Sequence, residues 1–368
     1  MKQVIFNALQ TSLNGGIGRY SYELSKAIYM KKKFDFKIVI REQDASLFDF
    51  ACDQDLIRVS KIENSLKRNY YEQFILPKII NKKYSNSIVH YPDTMAPIFL
   101  ENKVITTVHD LAFKTLKKSF TLKTELWKNF ITDLSVKKSE KIIAITNFAK
   151  EEIMKYYKIN SNKIHVIYNG FNEFSQKPIE YNKISSQLME LENKKYILTV
   201  STISPRKNID GLIKAFNIIK SKRECMLVIA GRNGWMYKNV YKLVDKYKLK
   251  DRIIFTGKVN DNELKFLYKN ARVFVYPSFY EGFGLPPLEA MSYSVPCAVS
   301  DRSSIPEVVG DAALTFNPNN INEIAVSINE LLEKDDLRND LLHKSLYRIE
   351  KFSWNKCAEG VIKVYSSI

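Results

Sequence analysis

A chain of 368 residues is too long for one ordinary core, so two domains are expected. Its 45% hydrophobic and 12% aromatic content excludes a disordered chain, and no apolar run approaches the ~18 residues of a membrane-spanning helix. The net charge of +17 fits nucleic acid, an anionic membrane face or a Lys- and Asn-rich drift, but no helix-turn-helix, zinc-finger or RNA-binding signature accompanies it, so nucleic acid is not an expected partner.

In chain order, the first strand is expected at Val4–Asn7. The residues before it lack a signal peptide's long apolar stretch, which points to the cytoplasm. Asn14-Gly15-Gly16-Ile17-Gly18 then forms a glycine loop ahead of a helix over Gly18–Tyr29, where glycine permits positive φ and close backbone approach to a ligand. A dinucleotide fingerprint fits poorly there, because the loop lies well beyond the strand and Arg41-Glu42 gives no clear ribose acid. Further strands are expected at Lys37–Ile40, Ile88–Tyr91, Val104–Val108, Ile142–Ile145 and His165–Tyr168, with a helix over Phe148–Tyr157. Thr106-Thr-Val-His109-Asp110 puts a His-Asp pair at the carboxyl end of a buried strand, the edge at which such sheets meet ligands. His109 is either placed to hydrogen-bond a sugar or phosphate, or is a satisfied structural histidine.

A polar interval over Phe171–Lys195 reads as an interdomain linker, after which the alternation restarts. Strands are expected at Tyr196–Val200, Met226–Ala230, Arg252–Thr256, Val273–Tyr276 and Cys297–Ser300. The helices between and after them are Asn208–Ile219, Asn262–Lys269, Pro287–Ser292, Ile321–Glu333 and Leu337–Ile349. Strands alternating with helices argue for parallel sheets covered on both faces. Four scattered cysteines and four scattered histidines suggest neither a disulfide framework nor a metal centre.

The most informative stretch is Tyr276-Pro-Ser-Phe-Tyr-Glu281-Gly-Phe-Gly-Leu-Pro-Pro-Leu-Glu289. A strand stopped by proline leads through a Gly-x-Gly loop into a Pro-Pro helix start. That construction aims backbone N–H groups and the positive end of a helix dipole at an anion, most often a phosphate. Glu289, expected in the first helical turn, would lean back toward a neighbouring hydroxyl, and Glu281 stands free on the opposite lip. The alternative is a capped surface helix. Earlier, Ser204-Pro-Arg206-Lys207-Asn208 follows a strand and opens a helix, where Arg as a fork and Lys as a point charge suit a diphosphate. The alternative there is a solvated helix start, although basic residues at that end oppose the dipole.

Together these residues resemble retaining glycosyltransferases of family 4, with the likeness running over nearly the whole chain and strongest at Phe274–Pro318. Glu281 to Glu289 matches the family's E-x7-E motif, which Ser303-Ser-Ile-Pro-Glu307-Val-Val-Gly continues. Val228-Ile-Ala-Gly231-Arg232, Phe255-Thr-Gly257, Ile167-Tyr-Asn169-Gly170, His109-Asp110 and Gly15-Gly16 match lesser landmarks.

The resemblance implies an α/β GT-B fold: two Rossmann-like parallel-sheet domains facing across a cleft, with a C-terminal helix crossing back to the N-domain. Residues 1–175 plus about 357–368 would form the acceptor-side domain and 190–355 the donor-binding domain. It also implies a nucleotide-sugar donor, GDP-, UDP- or dTDP-linked, and a saccharide or lipid-linked oligosaccharide acceptor. Catalytic roles fall to Glu281, His109, Arg206 and Lys207. Arg206 and Lys207 would hold the diphosphate with the backbone of Gly282, Phe283, Gly284 and Leu285. Glu289 would bind ribose, Glu281 the donor sugar, and Gly16 with His109 the other side. No metal or cofactor is implied, because fixed cations and the helix dipole serve the leaving group. The implied product is a bacterial surface polysaccharide such as O-antigen or capsule, with mannose the favoured sugar; the alternative is a GT-B epimerase or hydrolase acting without an acceptor.

Two departures stand out: Ser294 sits where the family commonly has glycine, and Ser201 near where some members carry a further arginine. Finally, Lys114–Lys141 interleaves lysines with Phe120, Leu122, Leu126, Trp127, Phe130, Ile131 and Leu134. That mix suits a helix on an anionic leaflet, or equally an amphipathic core helix with a solvated Lys face.

Overall fold

The computed structural model describes residues 1–12, 16–60, 62, 64–116, 122–171, 178–219 and 224–368, the side chains of 122–124 excepted. It divides into two compact units, Met1–Gly170 with Phe352–Ile368, and Phe171–Lys351.

Unit 1 is built on a seven-stranded parallel sheet: β1 (Gln3–Asn7), β2 (Asp35–Arg41), β3 (Leu56–Val59), β4 (Ile88–Tyr91), β5 (Lys103–Val108), β6 (Lys141–Ala144) and β7 (Ile164–Val166), in the order β3-β2-β1-β4-β5-β6-β7. β1, β4 and β5 are almost wholly buried and apolar, as central strands covered on both faces must be. Edge strand β3, Leu-Ile-Arg-Val, buries only Val59 and carries too little apolar signal to be expected from sequence. The helices of this unit are α1 (Gly16–Tyr29), α2 (Ser65–Tyr70), α3 (Leu76–Lys83), α4 (Ala112–Thr115), α5 (Leu122–Lys138) and α6 (Asn147–Tyr157). One turn of π-helix, Tyr71–Ile75, joins α2 to α3.

Unit 2 has a six-stranded parallel sheet: β8 (Tyr196–Val200), β9 (Met226–Ala230), β10 (Ile253–Gly257), β11 (Val273–Tyr276), β12 (Cys297–Ser300) and β13 (Leu314–Phe316), in the order β10-β9-β8-β11-β12-β13. Four of these coincide with the expected strands; three-residue β13 is too short to show a period. The helices are α7 (Ser186–Met189), α8 (Ile209–Ile219), α9 (Lys238–Lys246), α10 (Asp261–Asn270), α11 (Leu285–Ser292), α12 (Ile305–Val309), α13 (Ile321–Glu333) and α14 (Asp335–Ile349).

The interval expected as a linker is folded from 178 onward. Glu180 N donates to Asn262 Oδ1 (3.2 Å) and Asn260 Nδ2 to Lys183 O (3.1 Å), fastening it to the start of α10. At the far end, α15 (Trp354–Ser366) packs its apolar stripe, Cys357, Val361, Ile362, Val364 and Tyr365, into the core around β1 and α1. A buried polar chain anchors it: His90 Nδ1 meets Tyr365 OH at 2.6 Å, His90 Nε2 meets Thr107 Oγ1 at 2.8 Å, and Tyr20 OH reaches Thr107 at 3.3 Å. Burial pushes His90 down to about 3, so its ring stays neutral within this chain.

In both units the strand order reverses once, between β1 and β4 and between β8 and β11. Open α/β sheets bind ligands at the carboxyl ends flanking such a switch point.

Candidate functional site

In unit 2 the two stretches singled out in the sequence flank the same switch point, one after β8 and one after β11. Pro205–Lys207 forms a single 3₁₀ turn, closed by Asn208 in the left-handed conformation (φ 53°), which asparagine tolerates better than most residues. Asn208 then donates to Pro318 O (2.8 Å) and accepts from Gly211 N (3.2 Å), fixing the start of α8. This turn is locked to the β11 loop by Phe279 N donating to Arg206 O at 2.9 Å.

The side chains converge on Glu281. Lys207 Nζ donates to Glu281 Oε1 at 2.5 Å and to Tyr276 OH at 2.8 Å, and Arg206 Nη1 donates to Glu281 Oε2 at 3.0 Å and to Tyr280 O at 2.8 Å. Glu281 is therefore not free on the lip of the loop, as its sequence position suggested: it is 7% exposed and bridges both cations. The reason is electrostatic, since a carboxylate this buried needs compensating charge. Burial pushes the Glu281 carboxyl up, but Lys207 and Arg206 outweigh it and hold the group below the usual carboxylate range.

Two serines hold the loop that follows. Ser303 Oγ accepts from Glu281 N at 2.9 Å, and Ser304 Oγ donates to Glu281 O (2.9 Å) and Phe283 O (3.0 Å). Gly284, at φ 107°, turns the chain into α11 in a region side-chain-bearing residues avoid. Pro286 and Pro287 lack N–H groups, so the N–H groups of Gly284 and Leu285 are the donors left at this positive helix end. The helix begins at Leu285, two residues before the sequence suggested, so Glu289 lies in the second turn rather than the first. There it is buried and accepts from Tyr268 OH at 3.0 Å. Tyr276, Tyr268, Ser303 and Ser304 were not assigned roles from sequence; Tyr276 and the serines lay inside the quoted motif, whereas Tyr268 gave no local signal.

In unit 1, His109 follows β5. Its Nε2–H donates to Pro92 O at 2.9 Å, which fixes the tautomer because a carbonyl only accepts. The Tyr20 ring meets it edge-on at 4.6 Å. Burial lowers its pKa against the opposing pull of Asp93, Pro92 O and Asp110, so the ring is neutral at pH 7. Asp110 is engaged in the turn, accepting from Ala112 N at 3.0 Å. Gly16 opens α1, is exposed, and has open space where a Cβ would lie. The packing requirement belongs to Gly18 instead, whose Cβ would fall 2.4 Å from Ser12 N. Asn14 and Gly15 lie outside the described residues.

Two Rossmann-like sheets, one carrying a cation–carboxylate cluster beside a helix N-terminus, define a GT-B glycosyltransferase. The "Glycosyltransferase Family 4" model matches residues 14–173 and the "Glycosyl transferases group 1" model residues 180–345, and the chain belongs to glycosyltransferase family 4. It is 29% identical over 373 residues to O-antigen chain mannosyltransferase B of Escherichia coli, covering 95% of each chain. It is 32% identical over 248 residues to O-antigen chain mannosyltransferase RfbU of Salmonella typhimurium, covering 67% of this chain and 65% of that one. Among solved structures it resembles sucrose-phosphate synthase of Thermosynechococcus elongatus, with TM-score 0.77 and 19% identity over 100% and 99% of the two chains. Anabaena Alr3699/HepE in complex with UDP and glucose matches with TM-score 0.77 and 16% identity over the whole of both.

Proposed function

We propose that this glycosyltransferase moves a hexosyl unit, mannose foremost, from a nucleotide diphosphate sugar to the saccharide end of a growing surface polysaccharide, retaining anomeric configuration. The observation that carries this reading is the Arg206–Glu281–Lys207 cluster set beside the N-terminus of α11 at the β8/β11 switch point. The two named relatives, both O-antigen mannosyltransferases, support the choice of sugar and product.

Arg206 and Lys207 take the diphosphate, with the N–H groups of Gly284 and Leu285 and the backbone of Gly282 and Phe283 lining it. Glu289 takes the ribose hydroxyls and Glu281 the donor sugar. Glu281 offsets one of the two cations, so the cluster offers a net single positive charge plus the helix dipole. That charge is fixed before the glycosidic bond breaks and stabilises the departing phosphate without reorganisation, which is where such sites gain most of their rate. These fixed charges supply what a metal would otherwise supply.

Thermal shift with GDP-mannose, UDP-glucose and dTDP-rhamnose tests the donor, since a ligand bound only by the folded state raises apparent stability. GDP-mannose is expected to give the largest shift. Product analysis tests the class: donor turnover that is equally rapid without any saccharide would point to an epimerase or hydrolase.

A peripheral position on an anionic membrane is a further part of this reading. Helix α5 buries Ile131, Thr132, Ser135 and Val136 yet leaves Leu126, Trp127 and Phe130 between 44% and 69% exposed. A plain core helix has no reason to present an aromatic pair to water beside Lys128, Lys137 and Lys138, whereas a lipid interface favours both residue types. Flotation with anionic liposomes at physiological salt is expected to carry the protein upward; protein left at the bottom of the gradient refutes the membrane role.

A further inference from the structure

Ser304 is used in a way that its own place in the chain does not explain. It stands at the N-cap of α12, where a serine hydroxyl ordinarily accepts from a backbone N–H of its own helix, yet it makes no such bond. The hydroxyl is turned to the loop after β11 instead, donating to Glu281 O at 2.9 Å and to Phe283 O at 3.0 Å. Ser304 is fully buried, so water does not compete for it there. Its neighbour Ser303 is held in the left-handed conformation (φ 56°), a strained state for a residue with a side chain, and from it accepts from Glu281 N at 2.9 Å.

What this diversion achieves follows from peptide geometry. In a trans peptide the C=O of one residue and the N–H of the next share a plane and point in opposite directions. With Glu281 O and Phe283 O both turned to Ser304, the N–H groups of Gly282 and Gly284 are turned to the other side of the loop. Arg206 Nη1 takes Tyr280 O in the same way, at 2.8 Å. Three carbonyl oxygens that would repel an anion are thereby occupied by donors. The loop does not secure this arrangement by itself, because glycine on each side of Phe283 leaves the backbone permissive. The nearest side chain to where a Cβ of Gly284 would lie is Ile305, at 4.0 Å, so crowding does not fix the plane either.

We infer that Ser304 is a positioning residue of the donor site: its hydroxyl latches the 281–282 and 283–284 peptide planes with their N–H groups outward. Without it these planes rotate and turn a carbonyl oxygen toward the diphosphate. The inference rests on the diphosphate reading above and adds what orients the backbone that this reading uses. Being fully buried, Ser304 acts through the backbone, chiefly through the Gly284 N–H just ahead of α11.

Isothermal titration of the full chain with inorganic pyrophosphate, GDP and UDP tests this. Pyrophosphate and at least one nucleotide are expected to bind the wild type. Ser304→Ala is expected to weaken both by about the same factor, roughly tenfold, the worth of one charge-assisted hydrogen bond. Ser303→Ala removes the acceptor on Glu281 N but leaves both carbonyls latched, so it should weaken pyrophosphate less. Should Ser304→Ala fail to fold, Ser304→Cys carries the same comparison, its weak S–H donor giving a smaller loss. Wild-type pyrophosphate affinity in the folded Ser304 variant, an equal loss in Ser303→Ala, or a nucleotide loss far larger than the pyrophosphate loss would each overturn the latch. The last two would show a loop loosened as a whole. A wild type that binds neither pyrophosphate, GDP nor UDP overturns the diphosphate reading itself, whereas a wild type that binds them beside an unaffected Ser304→Ala overturns the latch alone.

Discussion

The two switch points are built from the same topology and opposite electrostatics. At β8/β11, Lys207 and Arg206 surround one carboxylate beside a helix N-terminus, and the cluster is complete without a ligand. At β1/β4, Glu72 is held by Asn7 and Arg68 and Asp93 by Gln10 and Thr94, one buried hydroxyl has no hydrogen-bond partner among the described residues, and the histidine beside them is neutral. One edge gathers two cations about a carboxylate, and the other buries two acids beside a neutral histidine. Parallel sheets position both by the same rule, so side-chain chemistry rather than fold decides what each holds.

The most severe way to break this contrast is to remove a cation from the first edge. Lys207→Ala leaves Arg206 as the remaining cation of the pair on Glu281, and one lost stabiliser of developing charge costs about 10² to 10³ in turnover. Breaking a buried pair from one side also destabilises by about 3–5 kcal/mol. Steady-state rates and urea midpoints should both fall, and near-wild-type turnover would remove Lys207 from the donor site. The sign with pH follows from Glu281. Its carboxyl is held below its unfolded value, so the stability it contributes is present above the usual carboxylate range and is lost as pH falls through the depressed folded value.

At the second edge the sign is reversed. Burial raises Glu72 to about 7, against the pull of Arg68 and Asn7, with Asp93 adding to the rise. An acid with a raised folded value is favoured when protonated, so stability is lost as pH climbs from the unfolded value toward 7. The shift corresponds to about 3 kcal/mol at most. Wild type is expected to lose up to that amount in urea titrations between pH 5 and pH 8, and Glu72→Gln, which cannot ionise, to lose far less. Parallel pH profiles would show that Glu72 is not the buried acid described here.

A milder test separates the donor's two handles. Glu289 accepts from Tyr268, and with a ribose role Glu289→Ala should raise the donor KM about tenfold and lower kcat less than Lys207→Ala does. If instead kcat falls and KM holds, Glu289 acts in the transition state and the ribose assignment is wrong.

The difference between the edges also explains what the sequence revealed. Unit 2's site is written in two short runs, 204–208 and 276–289, because strand, loop and helix start are consecutive. Their residue types suggest an anion site, against a capped surface helix or a solvated helix start, before any folding is known. Unit 1's buried polar group is assembled from Asn7, Gln10, Glu72, Asp93 and His109, five residues from four separate segments. None has a neighbour that marks it, and only His109 at its strand end was legible. The central strands were readable from their apolar runs, whereas β3 and β13 were not, being a half-exposed edge and a three-residue strand. Glu281's two ion pairs were missed for a related reason: sequence spacing places a residue on a loop but does not say which distant side chains close over it.

The smallest expected effect concerns the helix that aims the anion site. α11 ends with Ser294 N donating to Met291 O at 2.9 Å and Val295 N to Ala290 O at 3.1 Å, the paired bonds of a Schellman cap. The residue between them must be left-handed, and Ser294 sits at φ 55°. A side chain in that conformation costs about 1–2 kcal/mol, while glycine's extra freedom in the unfolded chain returns about 0.5–1 kcal/mol of that. Ser294→Gly should therefore stabilise the protein by only about 0.5 kcal/mol, read as a small rise in the urea midpoint with kinetics unchanged. A drop in stability would mean that the exposed Ser294 side chain makes a contribution larger than its backbone strain.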